Sequence, residues 1–205
     1  SSNTVFIQIG QSVEREKMIS MVEAFGFNRA TKSDIPIAKS TFPKPPIIGG
    51  NVEMAESFIG QGRLLCTPIQ MAQVAAVIAN NGNTVTPYIA REIVSPLGTV
   101  KDTLPKVSQS QVISPEVADK IKALMIDVVR NGTGKAAAIK GVEVAGKTGS
   151  AENPHGQAHA WFVGFAPAED PKIAVAVVVE NAGSGGAVAG PIAREVILKY
   201  LSGMV

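Results

Sequence analysis

Apolar residues recur with the period of a helix in several parts of this chain. Over residues 13–25 their spacing predicts an amphipathic helix that ends at Gly26, because glycine tolerates the backbone conformation that follows a helix. A Ser-Pro pair at 114–115 opens another helix, and a closing helix is predicted over 191–201. The predicted packed sides are Val117, Ile121, Leu124, Met125 and Val128 in the former, and Ile192, Val196, Ile197 and Tyr200 in the latter.

The strongest helix start lies in the middle of the chain. Thr67 suits the N-cap, Pro68 suits the first helical position, and Gln70 stands where a capping box places its glutamine. The helix that follows, through residue 79, is apolar nearly all round. We therefore expect it to be a central, buried helix.

Three strand patterns follow one another towards the end of the chain, around Lys147 and at residues 160–166 and 172–180. In the last of them both alternating sets of side chains are apolar, which is typical of a strand covered by helices on both faces. The short connections favour antiparallel neighbours. The order of elements predicts an α+β fold in which helices cover both faces of an antiparallel sheet.

Other stretches show neither the helical nor the strand period. Four prolines over residues 28–50 favour an irregular surface excursion, and the glycines of residues 183–186 predict a flexible loop. The chain opens with Ser1, Ser2 and Asn3 before an apolar run. A serine in that position is first interpreted as a helix N-cap, whose hydroxyl accepts from an amide of the first turn.

The composition is that of one well-packed globular domain: 205 residues, 45% hydrophobic and 18% charged, with a net charge of +2. No nucleic-acid-binding surface is expected from that charge. The single Cys66 excludes an intrachain disulfide, and His155 and His159 alone do not make a zinc site of the usual kind. No apolar run approaches the roughly 18 residues of a membrane span, and we expect any anchor or export signal to lie outside this chain.

Candidate chemistry concentrates in residues 144–151. Lys147 supplies a cation, Thr148 and Ser150 supply hydroxyls, and Gly149 permits close approach of a ligand to the backbone. Such a stretch, entered from an apolar run, is one way to build an anion-binding strand edge. The tripeptide Lys-Thr-Gly also occurs as an ordinary solvated turn, so its surroundings have to decide between the two interpretations.

A second glycine-rich stretch, residues 131–136, invites comparison with a phosphate-binding loop. The Walker pattern needs a glycine where Val129 stands and a hydroxyl where Ala136 stands. The stretch is therefore predicted to be a helix end followed by a turn.

Several motifs occur in one order: residues 60–62 (Gly-Gln-Gly), 67–72 (Thr-Pro-Ile-Gln-Met-Ala), 79–82 (Ala-Asn-Asn-Gly), 145–151 and 159–162 (His-Ala-Trp-Phe). In this ordered combination the chain resembles, nearly end to end, the transpeptidase domain of class B penicillin-binding proteins, whose fold is also that of serine β-lactamases. The resemblance implies that Lys-Thr-Gly lies on the edge strand of the active-site cleft.

The resemblance also implies roles for individual residues. Ser1 and Asn3 correspond to the family's Ser-x-Asn element, with Ser1 relaying a proton and Asn3 binding the substrate's amide; with Lys147 they are the expected catalytic residues. Thr148 and Ser150 are expected to bind the substrate's carboxylate and Gly149 to let it approach. The amide of Ser150 would be one oxyanion donor. The family uses neither metal nor cofactor in this chemistry.

One family element is missing from the sequence. The nucleophile of the family is the serine of Ser-x-x-Lys, and no Ser-x-x-Lys occurs among these 205 residues. We therefore expect the chain to be the C-terminal portion of a single transpeptidase domain over residues 1–205, incomplete at the N-terminus and inactive alone. An apolar surface left by the missing portion is a further expectation.

Three functions remain open at this stage: a peptidoglycan D,D-transpeptidase that also binds β-lactams, a serine β-lactamase or β-lactam sensor, and a non-catalytic module of the same fold. For the first, the resemblance implies peptidoglycan stem peptides and the missing N-terminal portion as partners, with cell-division or elongation proteins as further candidates. It also implies a place outside the bacterial cell membrane, on an N-terminal anchor. His155 and His159 are expected to be structural polar groups beside Trp161.

Overall fold

The computed structural model describes residues 2–31, 33–44, 51–103 and 109–203, in which helices surround a three-stranded antiparallel sheet and a separate two-stranded hairpin is present. The helices are α1 (Asn3–Gln11), α2 (Arg15–Ala24), α3 (Asn51–Phe58), α4 (Pro68–Ala79), α5 (Pro115–Arg130) and α6 (Gly190–Leu201). The strands are β1 (Glu92–Val94), β2 (Val100–Thr103), β3 (Ala145–Ala151), β4 (His159–Ala166) and β5 (Ile173–Val179).

The central sheet has the order β3, β4, β5, with both pairs antiparallel. Alternate residues of β4 point to opposite faces, so Phe162 and Phe165 are both fully buried but on different sides. Phe165 packs with residues of α4 and α5, whereas Phe162 packs with Ala193 and Ile197 of α6. The predicted α+β fold, a sheet covered on both faces by helices, is confirmed.

The start of α4 follows its prediction only in part. The Thr67 hydroxyl accepts from the amide of Gln70 at 3.2 Å, and Pro68 is the first helical residue. The amide of Thr67, however, donates to the hydroxyl of Ser40 at 3.0 Å. Because that donor is already satisfied, the buried Gln70 side chain does not close a capping box and donates instead to the carbonyl of Phe25 at 2.8 Å.

The N-terminal region forms two helices before Gly26. The predicted helix over 13–25 corresponds to α2, and the additional α1 is capped by the Ser2 hydroxyl, which accepts from the amide of Val5 at 3.5 Å. Helix α1 packs on α3 so closely that a Cβ on Gly10 would lie 2.2 Å from the ring of Phe58. Beside this contact, α1 has an exposed apolar side formed by Val5, Phe6 and Ile9, each about half exposed.

Two predicted packed sides were right only in part. In α6, Ile192, Val196 and Tyr200 are 43–44% exposed, while Ala193 and Ile197 are fully buried. The inward side of α6 thus includes small residues, and a Cβ on Gly190 would already be in van der Waals contact with that of Ala136, at 3.7 Å. In α5 Met125 is buried as predicted, but Ala118 and Val129 are buried rather than Val117 and Val128, and Leu124 is exposed.

Short elements were not predicted. Helix α3 and the hairpin of β1 and β2 carry no clear period, and Leu97 in the hairpin turn is 93% exposed. The loop predicted over 183–186 gives way to one π-helical turn, Gly185–Ala189, that runs into α6. Within residues 28–50, the described part has only an isolated bridge from Thr41 to Leu65, and residues 45–50 lie outside the description.

The difference in burial between Phe162 and Phe6 can be tested by substitution. We expect Phe162→Ala to lower the free energy of unfolding by about 3–5 kcal/mol, because it leaves a cavity in the core. The same substitution at the half-exposed Phe6 should cost less than about 1 kcal/mol. Urea unfolding of both variants measures the difference, and an equal cost at the two positions would show that the face of α1 is covered in the isolated protein.

Candidate active site

A groove of about 630 Å³ runs along the outer edge of β3. One wall is formed by the segment between α3 and α4 and by the start of α4, and the other by β3, β4 and the turn between them. The first wall includes Gln61, Leu64, Cys66 and Met71, and the second includes Lys147, Gly149, Ser150, His159, Trp161 and Val163.

The pairing of β3 with β4 decides which way each group of the Lys-Thr-Gly segment points. Lys147 lies opposite Val163 and Gly149 opposite Trp161, on the sheet face that borders the groove. Thr148 lies opposite the buried Phe162, on the face covered by α6, and Ser150 shares that face. The cation and the two hydroxyls therefore lie on different faces of one edge strand.

Lys147 is half-buried among apolar neighbours of the groove. Burial lowers the pKa of its ammonium below the ordinary 10.5, because desolvation disfavours the charged form. Its Nζ donates to the carbonyl of Thr148 at the strand edge. This is a positive charge held in a poorly hydrated groove, where it acts more strongly on an anion than it would in water.

Thr148 is buried, and its hydroxyl lies 2.6 Å from that of Thr133. Thr133 belongs to the turn after α5, the stretch that was compared with a phosphate loop; it is a turn, as predicted. In such a hydroxyl pair one group donates and the other keeps a free proton to donate elsewhere. The sequence carried no spacing signal that joined Thr133 to Thr148.

Ser150 is held from two sides. Its hydroxyl accepts from the amide of Gly185 at 3.3 Å, and its carbonyl accepts from Nε2 of Gln61 at 3.1 Å. Gly185 comes this close because it has no side chain: a Cβ there would lie 2.2 Å from the carbonyl oxygens of Gly149 and Trp161. The π-helical turn therefore packs directly on the pairing of β3 with β4.

Only Asn3 of the Ser-x-Asn pair can be placed. Ser1 lies outside the described residues. Asn3 is exposed in the first turn of α1, which packs on α3, and it does not line the groove with Lys147. The structure thus unites Lys147, Thr148, Gly149 and Ser150 on one strand, and Asn3 is not among the residues that line the groove.

The two histidines differ. His159 lines the groove, and its Nδ1 accepts from the backbone amide of Asn181 at 3.0 Å, so the neutral ring carries its proton on Nε2. His155 is exposed. Burial raises the pKa of the Cys66 thiol on the opposite wall. Among the described residues there is no group of three His, Cys, Asp or Glu side chains placed to hold a metal ion.

Comparison with known proteins shows which family this fold and site belong to. The family model for the penicillin-binding protein transpeptidase domain matches residues 1–198. Peptidoglycan D,D-transpeptidase PbpA of Mycolicibacterium smegmatis is 39% identical over 213 residues, which span 98% of this chain and 42% of that protein. Stage V sporulation protein D of Bacillus subtilis is 36% identical, over 96% of this chain and 32% of its own length.

Solved structures of proteins from the same family also superpose on this chain. Penicillin-binding protein A of Mycobacterium tuberculosis, as an imipenem acyl-enzyme complex, superposes with a TM-score of 0.88 at 38% identity, covering 97% of this chain and 45% of that one. The D,D-transpeptidase domain from Eggerthella lenta gives 0.88 at 32% identity, covering 100% and 52%.

The fold, the edge-strand lysine and these matches together define a penicillin-binding domain of the transpeptidase type. The chain belongs to the penicillin-binding protein transpeptidase family, within its class B branch, as predicted. It spans less than half the length of the curated relatives it matches. Over its described residues, each helix falls short of the length or the apolar character that a membrane crossing requires.

The lowered pKa of Lys147 predicts a pH-dependent stability difference. Between the lowered pKa and 10.5 the folded protein binds fewer protons at this site than the unfolded chain does, so stability rises with pH in that window. Wild-type protein should therefore gain free energy of unfolding relative to Lys147→Met as the pH rises through this window, and the cost of the buried charge should be fully present below the lowered pKa. Urea unfolding of both proteins at neutral and alkaline pH measures this difference.

Lys140→Met is the matched control, since Lys140 is exposed in the loop before β3. The difference in free energy of unfolding between wild type and Lys140→Met should change less over the same pH range. A wild type that loses stability relative to Lys147→Met as the pH rises would contradict the assignment.

Proposed function

We propose that this chain is the C-terminal portion of a D,D-transpeptidase domain that cross-links peptidoglycan. In the reaction, a serine attacks the carbonyl between two D-alanines of a stem peptide, the carbon–nitrogen bond breaks and the terminal D-alanine leaves. The amine of a second stem peptide then takes the acyl group and releases the serine. The observation that carries this proposal is the half-buried Lys147 on an edge strand that borders a substrate-sized groove.

The β3 edge supplies part of the machinery for this acyl transfer. In an antiparallel ladder the amide and carbonyl of one residue point to the same side, so the amide of Ser150 faces outward with the carbonyl that Gln61 contacts. There it serves as one oxyanion donor, and the amide of the nucleophilic serine serves as the other. Lys147 adds positive potential beside the developing negative charge.

The substrate's terminal carboxylate is assigned to the hydroxyls of Thr148 and Ser150. Both lie at the strand edge, and each already has a partner: Thr133 for Thr148 and the amide of Gly185 for Ser150. The Ser150 hydroxyl is an acceptor in its contact, which leaves its proton free for the carboxylate. Gly149 between them keeps the edge free of a side chain.

Ser1 and Asn3 are assigned to proton relay and to binding of the substrate's amide. Neither role follows from the position of α1 described above, so both depend on the remaining portion of the domain bringing this helix end to the groove. The exposed apolar side of α1 and the neighbouring exposed Val13 and Met21 support such a covering portion.

That portion would carry the Ser-x-x-Lys nucleophile, and without it the chain is inactive. In this proposal the assembled enzyme lies on the extracytoplasmic face of the bacterial membrane, on an anchor outside this chain. It acts on stem peptides, is acylated by β-lactams, and works beside cell-division or elongation proteins.

Intact mass before and after incubation with benzylpenicillin tests the proposal. The 205-residue chain should stay at 21.3 kDa, because it holds no Ser-x-x-Lys serine. The protein that includes the covering portion should gain one penicilloyl group, located on that portion by peptide mapping. An adduct on residues 1–205 would mean that another residue is the nucleophile. Rapid loss of the adduct would favour a β-lactamase, and no adduct on either protein would favour a non-catalytic module.

The role of Lys147 is tested in the assembled protein by the rate of acylation. Lys147→Ala should slow acylation by roughly 10²-fold, because a charge near the oxyanion is lost. Lys140→Ala removes an exposed lysine of the same loop-and-strand region and should leave the rate within about twofold. An equal rate for Lys147→Ala and wild type would remove Lys147 from the mechanism.

A further inference from the structure

The Gly60-Gln61-Gly62 segment has no part in the chemistry assigned so far, although it forms one end of the groove. Gly60 and Gly62 both have left-handed backbone, with φ of +73° and +74°. A Cβ on Gly60 would contact nothing, so its glycine is needed for the backbone conformation alone. Two left-handed residues flanking Gln61 turn the chain sharply on either side of it.

The backbone of Gln61 is anchored to the end of α3. Its amide donates to the carbonyl of Glu56 at 2.9 Å, and the amides of Ile59 and Gly60 donate to carbonyls of the same last turn. These bonds satisfy carbonyls that a helix end leaves without partners. Gln61 therefore projects from a fixed point rather than from a free loop.

From that point the Gln61 side chain reaches across the groove to β3. Its Nε2 donates to the carbonyl of Ser150 at 3.1 Å, joining residues 89 positions apart. Because β3 is the edge of its sheet, this carbonyl points away from β4, as does the Ser150 amide. The contact ties the helical wall of the groove to the residue whose amide is the assigned oxyanion donor.

We propose that Gln61 is a positioning residue that acts through Ser150: its side-chain amide holds the β3 edge so that the Ser150 amide stays directed into the groove. This inference rests on the proposed acyl-transfer function. It predicts that Gln61 affects the chemical step more than the first, non-covalent binding of a ligand. A competing role, in which Gln61 blocks the Ser150 carbonyl against a ligand's own amide, predicts the opposite sign.

The test measures acylation of the assembled protein by benzylpenicillin, separating the rate constant of acylation from the dissociation constant of the non-covalent complex. Gln61→Ala should lower the rate constant about three- to tenfold, the effect of one neutral hydrogen bond, and leave the dissociation constant within about twofold. Gln61→Glu should lower it at least as far, because a carboxylate repels the Ser150 carbonyl. Gln61→Asn keeps the amide and should restore part of the rate. Arg63→Gln, at an exposed position in the same segment that does not line the groove, is the matched control.

Hydrogen exchange on the same proteins gives a readout that does not depend on acylation. The amides of Gly149 and Ala151 face β4, and they should exchange about fivefold faster in Gln61→Ala than in Arg63→Gln, because the edge opens more often. Unchanged exchange, or faster acylation of Gln61→Ala, would overturn the positioning role. Parallel loss of the acylation rate, of binding and of thermal stability would reduce Gln61 to a structural residue. A wild type that exchanges as expected but takes up no penicillin would overturn the proposed function and leave the positioning of Ser150 standing.

Discussion

The candidate site depends on the fact that β3 pairs on one side only. Its antiparallel ladder with β4 directs Lys147 and Gly149 to the groove face, Thr148 to the helix-covered face, and the backbone groups of Ser150 out of the sheet. A strand paired on both sides would have used those backbone groups in the ladder. A strand shifted by one residue would have sent Lys147 into the core beneath α6. One register thus decides the placement of charge, hydroxyls and outward amide together.

The groups of this strand that are assigned to chemistry also reduce the stability of the fold. The ammonium of Lys147 is partly desolvated, which costs folding free energy, and the hydroxyl of Thr148 is buried. The protein offsets these costs locally: Thr133 satisfies the hydroxyl, the Thr148 carbonyl accepts from Lys147, and Gly185 fills the space above Gly149 without a side chain. The poorly solvated groups, Lys147 and Thr148, are among those to which acyl-transfer roles are assigned, as expected where function opposes stability.

Features coded by neighbouring residues were predictable from the sequence. The Thr-Pro and Ser-Pro helix starts, the glycine stop at Gly26 and the strand alternation all report on local geometry, and each is present. The ordered motifs led to the family because their combination is specific. Features set by contact between distant segments were not predictable. The Thr67 amide donates to Ser40, so Gln70 does not form the predicted capping box and donates to Phe25 instead. In α6, small residues are buried while larger apolar ones are exposed. The partnership of Thr133 with Thr148 and the reach of Gln61 to Ser150 likewise join segments that no local pattern connects.

The packing of Gly185 on the β3–β4 pair has a consequence for how this site can change over time. A side chain of any size at that position would collide with two backbone oxygens, so variation on the α6 side of the edge strand is sterically closed. The opposite wall is different, since the side chains of Leu64, Leu65 and Cys66 are only partly covered. We therefore expect substitutions that change ligand preference to be tolerated better in the segment between α3 and α4 than at Gly185.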